Sequence, residues 1–176
     1  MKKLAGNSFF VVFVLFVILL FEGVFTKDEL PSEEVYRAVG TTYGVKNVID
    51  GDTVVLYKGA QEETVRLIGI DTPETEHSPA GYECYSEEAT IEAMRLLPKD
   101  TEVTLLSDET QAERDSYDRL LGYITLPDGT DFGARMIEGG FAREYTYRGS
   151  KYNHQASYRD IEAVAQETKI GLWSCE

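Results

Sequence analysis

The chain has 176 residues, 43% hydrophobic and 27% charged, which is the composition of one globular domain and argues against an extended disordered or fibrous protein. Its formal net charge is -14, which argues against a general electrostatic nucleic-acid binder, because affinity for phosphate backbones normally rests on a surplus of lysine and arginine. A polyanion would have to be met by local charge.

Lys2 and Lys3 precede the unbroken apolar run 9–21, the pattern of a secretory signal. Residues 1–26 are therefore expected to be a signal peptide or, since Glu22 to Thr26 offers no Ala-x-Ala-like site, an uncleaved N-terminal membrane anchor. Either way the protein is expected to be secreted or extracytoplasmic. In an oxidising compartment the two cysteines, Cys84 and Cys175, are expected to pair as a disulfide that ties the tail back to the body. Residues 27–35, polar and containing Pro31, read as a linker, and 36–176 as the domain.

Gly44 to Ile49, Thr53 to Tyr57 and Thr64 to Ile70 are β-branched runs separated by turn residues, which predicts a three-stranded meander. From Glu87 the period becomes helical, with Ala89, Ala93, Leu96 and Leu97 on one stripe, Ser86 as the N-cap and Pro98 as the stop. Val103 to Leu106 and Leu120 to Leu126 read as two further strands. Phe132 to Glu138 reads as a short helix stopped by Gly139 and Gly140, and His154 to Lys169 as a last helix with Tyr158, Ile161 and Ala165 on one face and Gly171 at its end. Five strands with a helix between the third and fourth fit a small closed barrel better than a sandwich. The expected class is α+β, mainly β: a five-stranded OB-fold barrel with three helices.

Three segments carry the chemistry. Val48-Ile49-Asp50-Gly51-Asp52-Thr53 places carboxylates at a hairpin turn, and it is not an EF-hand, whose fifth and twelfth positions would here be Val54 and Gln61. In Arg66 to Glu74, Asp71-Thr72-Pro73-Glu74 follows a strand directly, and Pro73 holds Thr72 extended so that the flanking carboxylates project from the strand end. In Asp115 to Tyr123, Arg119 stands at the start of a strand, where its ordinary role would be a surface ion pair with Asp115 or Asp118. Carboxylates suit a hard divalent cation and planar guanidinium groups suit a phosphodiester. His77 and His154 show no zinc spacing with a cysteine and read as loop or surface residues.

From about Thr41 to Trp173 the chain resembles the staphylococcal-nuclease (thermonuclease) family, in the segments above, Tyr117-x-Arg119, Gly140-Phe141-Ala142 and Gly171-Leu172-Trp173. The resemblance implies an OB-fold enzyme, expected as a monomer, that cleaves DNA and RNA with bound Ca2+ and leaves 3′-phosphate ends. It assigns Asp52, Asp71 and the Thr72 carbonyl to the metal, Glu74 to the attacking water, and Arg66 and Arg119 to the phosphate. Tyr117, Tyr145 and Tyr147 are the matching substrate-pocket residues. Thr75 to Cys84 holds no lysine or arginine where the best-known family member has a lysine-rich loop. The alternative is a non-catalytic OB or Tudor-type module binding nucleic acid or protein; such a module would have lost some of these five acidic and basic side chains, and all are present.

Overall fold

The computed structural model describes residues 40–75 and 81–175. The expected leader (1–26), the linker (27–35), residues 36–39 of the expected domain and His77 lie outside them. The strands are β1 (Thr41–Val48), β2 (Thr53–Lys58), β3 (Gln61–Leu67), β4 (Ile70–Asp71), β5 (Glu102–Leu106), β6 (Leu120–Thr125) and β7 (Arg143–Glu144). The helices are α1 (Ser86–Leu96), α2 (Phe132–Glu138) and α3 (Gln155–Thr168).

Five strands close into a barrel in the order β1-β2-β3-β6-β5. All its pairings are antiparallel except β3 with β6, which runs parallel because the long excursion through α1 and β5 returns the chain in the same direction. Alternation along the strands places Val45, Val54, Leu56, Val65 and Ile124 in the sealed interior, each no more than 1% exposed. The same alternation turns Arg66, between buried Val65 and Leu67, to the outside of the barrel.

The third predicted run is not continuous. Gly69, at φ +81°, breaks it, and a side chain there would drive into the Tyr152 ring, with the nearest atom 2.5 Å from the new Cβ. The chain leaves the barrel after Leu67 and forms β4, which pairs with β7 in a separate two-stranded sheet, Asp71 opposite Arg143. That detour carries Asp71 away from the barrel wall.

Helix α2 packs on α1, α3 and β6, and its N-terminus is capped by the Asp131 carboxylate, which accepts from the Ala134 N–H at 2.9 Å. Two predicted helix ends are corrected. Tyr85, at φ 75°, is the N-cap of α1, and Ser86 lies inside the helix with its buried hydroxyl unpartnered among the described residues. Helix α3 ends at Thr168 with Lys169 in the left-handed region; Gly171 serves a different contact, its Cα side lying so close to Gly140 that an added Cβ would sit 2.1 Å from the Gly140 oxygen. His154 is also not a plain surface residue. It stacks on Tyr123 with ring centroids 4.0 Å apart, and its Nδ1 lies 2.8 Å from the Asp131 carboxylate.

Cys84 and Cys175 form the expected disulfide, joining positions 91 apart in sequence. A cross-link over so long a loop restrains the unfolded chain strongly, so the Cys84→Ser/Cys175→Ser double variant should lose about 2–4 kcal/mol. Urea denaturation of the oxidised wild type and the variant checks this; equal midpoints would show that the bridge does not stabilise the fold.

Candidate active site

Strand register gathers the first residues of the site. Thr53, the first residue of β2, is the cross-strand partner of Arg66 in β3, and Arg66 is in turn paired with Leu121 of β6. Asp52 immediately precedes β2 and Arg119 immediately precedes β6, so three strand ends meet at one rim of the barrel.

Arg66 is the centre of this rim. Its Nε lies 3.1 Å from Asp52 Oδ1 and its Nη2 donates to Asp71 Oδ1 at 2.9 Å, while Nη1 donates to the carbonyls of Leu67 and Ile70 at 2.7 and 2.8 Å. Asp52, itself 7% exposed, also accepts from the Thr72 N–H and hydroxyl on Oδ2 and from the Thr53 hydroxyl on Oδ1. Buried charges are stable only when paired and fully hydrogen-bonded, and this cluster meets that condition. Asp52, Arg66, Asp71 and Thr72 therefore form one network, as their assignment to a common site requires.

Arg119 stands beside it. Its Nε and Nη2 both reach Asp115 Oδ2, at 2.8 and 2.7 Å, and its Nη1 makes a long contact of 3.5 Å with the Thr53 hydroxyl. Of the two partners the sequence left open, Asp115 holds Arg119, whereas Asp118 faces Arg114. A guanidinium has five N–H donors. Arg119 keeps spare donors on both terminal nitrogens; Arg66 keeps one, so a two-pronged grip by Arg66 on a phosphate requires Asp71 to release Nη2.

Glu74 is exposed; it does not line the groove that Arg66 and Arg119 face, but its charge acts on the Asp71 carboxyl. Its N–H donates to Glu83 Oε2 at 3.1 Å, and the Glu83 N–H donates to the Glu74 carbonyl at 2.9 Å, so the segment that resumes beyond residue 80 braces the backbone of Glu74. Glu83 directly precedes the disulfide cysteine Cys84. Glu83 and Thr53 are members of the site that the sequence did not single out for such roles, because each acts through a contact with a residue outside its own segment.

Arg66, Asp71 and Arg119 open onto a groove of about 550 Å³, and Tyr117, Tyr145 and Tyr147 line the same groove. Tyr117 is 80% exposed with the Arg119 guanidinium 5.5 Å from its ring, and the Tyr145 and Tyr147 rings lie 6.4 Å apart. The Tyr145 N–H donates to the Gly69 carbonyl, so the β4–β7 sheet that displaces Asp71 also aims the tyrosine wall.

Among the described residues, no group of three or more His, Cys, Asp or Glu side chains converges closely enough to hold a metal by itself. The donor chemistry nevertheless suits a hard cation. Burial pushes the Asp71 carboxyl up to about 6, and the charges of Asp52, Glu74 and Glu83 add to this against the pull of Arg66. Burial and the charge of Asp52 likewise push Asp50 up to about 6. Crowded carboxylates served by one guanidinium are an excess of negative charge that a divalent ion would relieve, with Asp52, Asp71 and the Thr72 carbonyl as oxygen donors and water or phosphate completing the shell.

Comparison with known proteins identifies the family of the chain as a whole. The family model described as "Staphylococcal nuclease homologue" matches residues 64–175. The chain is 30% identical to the "Thermonuclease" of Staphylococcus hyicus over 174 residues, covering 99% of each protein. It is 29% identical to the "Thermonuclease" of Staphylococcus intermedius over 98% of this chain and 99% of that one. It is 32% identical to "Endonuclease YncB" of Bacillus subtilis over 72% of this chain and 58% of that protein.

Asp115 gives a measurable handle on the rim. Burial alone would raise its carboxyl, but the backbone and side-chain N–H groups of Arg119 and the Tyr117 N–H outweigh it and hold the carboxyl below the usual range. A depressed folded-state pKa contributes stability above the unfolded value and loses it as pH falls through the folded value. Asp115→Asn should therefore cost about 1.5–3 kcal/mol at pH 7, typical of a hydrogen bond to a charged group, and progressively less below about pH 4, where the unfolded carboxyl protonates. Urea melts at pH 7 and pH 3 check the difference; a pH-independent loss would assign Asp115 a packing role.

Proposed function

The chain belongs to the staphylococcal nuclease family and is a nuclease, and from that we propose an exported, calcium-dependent enzyme that hydrolyses phosphodiester bonds of DNA and RNA, endonucleolytically, leaving 3′-phosphate ends. The observation that carries the reading is the convergence of Arg66, Arg119 and Asp71 on one tyrosine-lined groove, with Asp52 held against Arg66 behind it. The apolar run 9–21 behind two lysines and the disulfide both favour export.

In this mechanism Glu74 takes the proton of a water that attacks the phosphorus in line. The bond from phosphorus to the 5′ oxygen breaks, and that oxygen leaves with a proton from solvent. Negative charge collects on the non-bridging oxygens as this happens, and Arg119, with spare donors at both terminal nitrogens, meets it together with Arg66. Asp115 and Thr53 hold Arg119 in place, while Asp52 and the carbonyls of Leu67 and Ile70 hold Arg66. The tyrosines offer π-faces to the bases or sugars beside the reacting phosphate. Asp52, Asp71 and the Thr72 carbonyl would hold the cation, which would supply Lewis-acid stabilisation of the phosphate oxygens.

Arg66→Lys and Arg119→Lys should each lower turnover on single-stranded DNA roughly 10²- to 10³-fold, the usual cost of losing one preorganised donor. Near-normal turnover in either variant would overturn its role. Glu74→Gln should lower turnover while leaving calcium affinity, measured by calorimetry, within a small factor; a large loss of affinity would make Glu74 a metal ligand instead. Cleavage should stop with a chelator and return with calcium, and no cleavage in calcium by the intact wild type would favour a binding module.

A further inference from the structure

Four arginines line the groove: Arg66, Arg114, Arg119 and Arg148. Three of them are answered by carboxylates. Arg66 faces Asp52 and Asp71, Arg119 faces Asp115, and Arg114 sits 2.9 Å from Glu63 and 3.7 Å from Asp118. Arg148 differs. Among the described residues no carboxylate lies within ion-pairing distance of it, and its guanidinium rests 5.1 Å from the centroid of the Tyr147 ring.

Its backbone is unusual as well. Arg148 adopts φ 48° and ψ 27°, a left-handed conformation disfavoured for any residue with a Cβ, inside the short 3-10 turn Tyr147–Gly149. Asparagine or glycine would fit that turn with less strain. The turn nonetheless presents an exposed cation, in a protein whose net charge is -14, onto the wall that also carries Tyr145 and Tyr147. A guanidinium stacked on an exposed tyrosine ring has its edge free, and the edge bears the N–H donors that fit phosphate oxygens.

We propose that Arg148 is a substrate-binding residue that holds a phosphate of the nucleic-acid strand next to the one being cleaved, with Tyr147 as its platform. The proposal rests on the nuclease reading of the groove. It gives this acidic enzyme a strand contact whose charge no carboxylate in the described fold already cancels. It also predicts a preference for strands over single phosphodiesters, since only a strand brings a second phosphate.

The test compares wild type, Arg148→Gly and Arg148→Lys on a single-stranded oligonucleotide and on a nitrophenyl ester of one nucleotide, which has a single phosphodiester, all with calcium. Glycine suits the local φ, so Arg148→Gly removes the side chain while keeping the turn, and its thermal midpoint confirms folding. For the strand, KM should rise roughly tenfold relative to KM for the ester, the scale of one lost charged hydrogen bond. The slope of log KM against log salt should fall by about 0.7, the release expected for one single-strand phosphate. Arg148→Lys should restore most of the salt slope. Equal changes on both substrates would place Arg148 at the scissile phosphate, and no change on the strand would leave it outside the binding surface; either result overturns the proposal. Wild type that cleaves neither substrate would instead overturn the nuclease reading on which it stands.

Discussion

The bridging of Asp52 and Asp71 by the Arg66 guanidinium is the interaction on which the rest of the site depends. Those carboxylates arrive from the hairpin before β2 and from β4 beyond the end of β3, and neither segment would tolerate the other's charge without a cation between them. Arg66 answers both, and its remaining donors fasten the carbonyls of Leu67 and Ile70 as the chain turns out of the barrel at Gly69. Removing one partner of such a network leaves an uncompensated charge, which is why an ion pair of modest net worth is strongly defended once built.

The arrangement reconciles an acidic chain with an anionic substrate. A formal net charge of -14 works against long-range attraction of a polyanion. At short range the groove gathers guanidinium groups, exposed tyrosine rings and the Asp71 carboxylate. On the proposed reading, binding and chemistry are thereby tied to the same few side chains, and a divalent ion held there would add to affinity as well as to reaction.

Much of the fold was legible because its signals are local. Alternation in β2, the helical stripe of Ala89 and Ala93, and the glycines after α2 are readable within a dozen residues, and all of them stand in the structure. The errors also have local causes. The third strand read as continuous through Ile70 because β-branched residues flank Gly69, whose positive φ is fixed by the turn and the Tyr152 ring rather than by its neighbours in sequence. Ser86 read as a cap because serine favours that place, yet the Cys84–Cys175 bridge and the packing of Tyr85 on Phe141 set the chain's entry into α1. His154 gave no sign in sequence of its stacking on Tyr123, which comes from a strand thirty-one positions earlier.

The sequence by itself determined the barrel class and the inventory of acidic, basic and aromatic side chains, because strand period, turn chemistry and residue type are properties of short stretches of chain, and with only two cysteines it left one pairing for the disulfide. Only the tertiary structure decided which carboxylate serves which arginine: Asp115 rather than Asp118 for Arg119, Asp52 and Asp71 together for Arg66, and none among the described residues for Arg148. Charge pairing falls off within a few ångströms and is governed by strand register and by the parallel closure of β3 on β6, distances that no reading of neighbours along the chain contains.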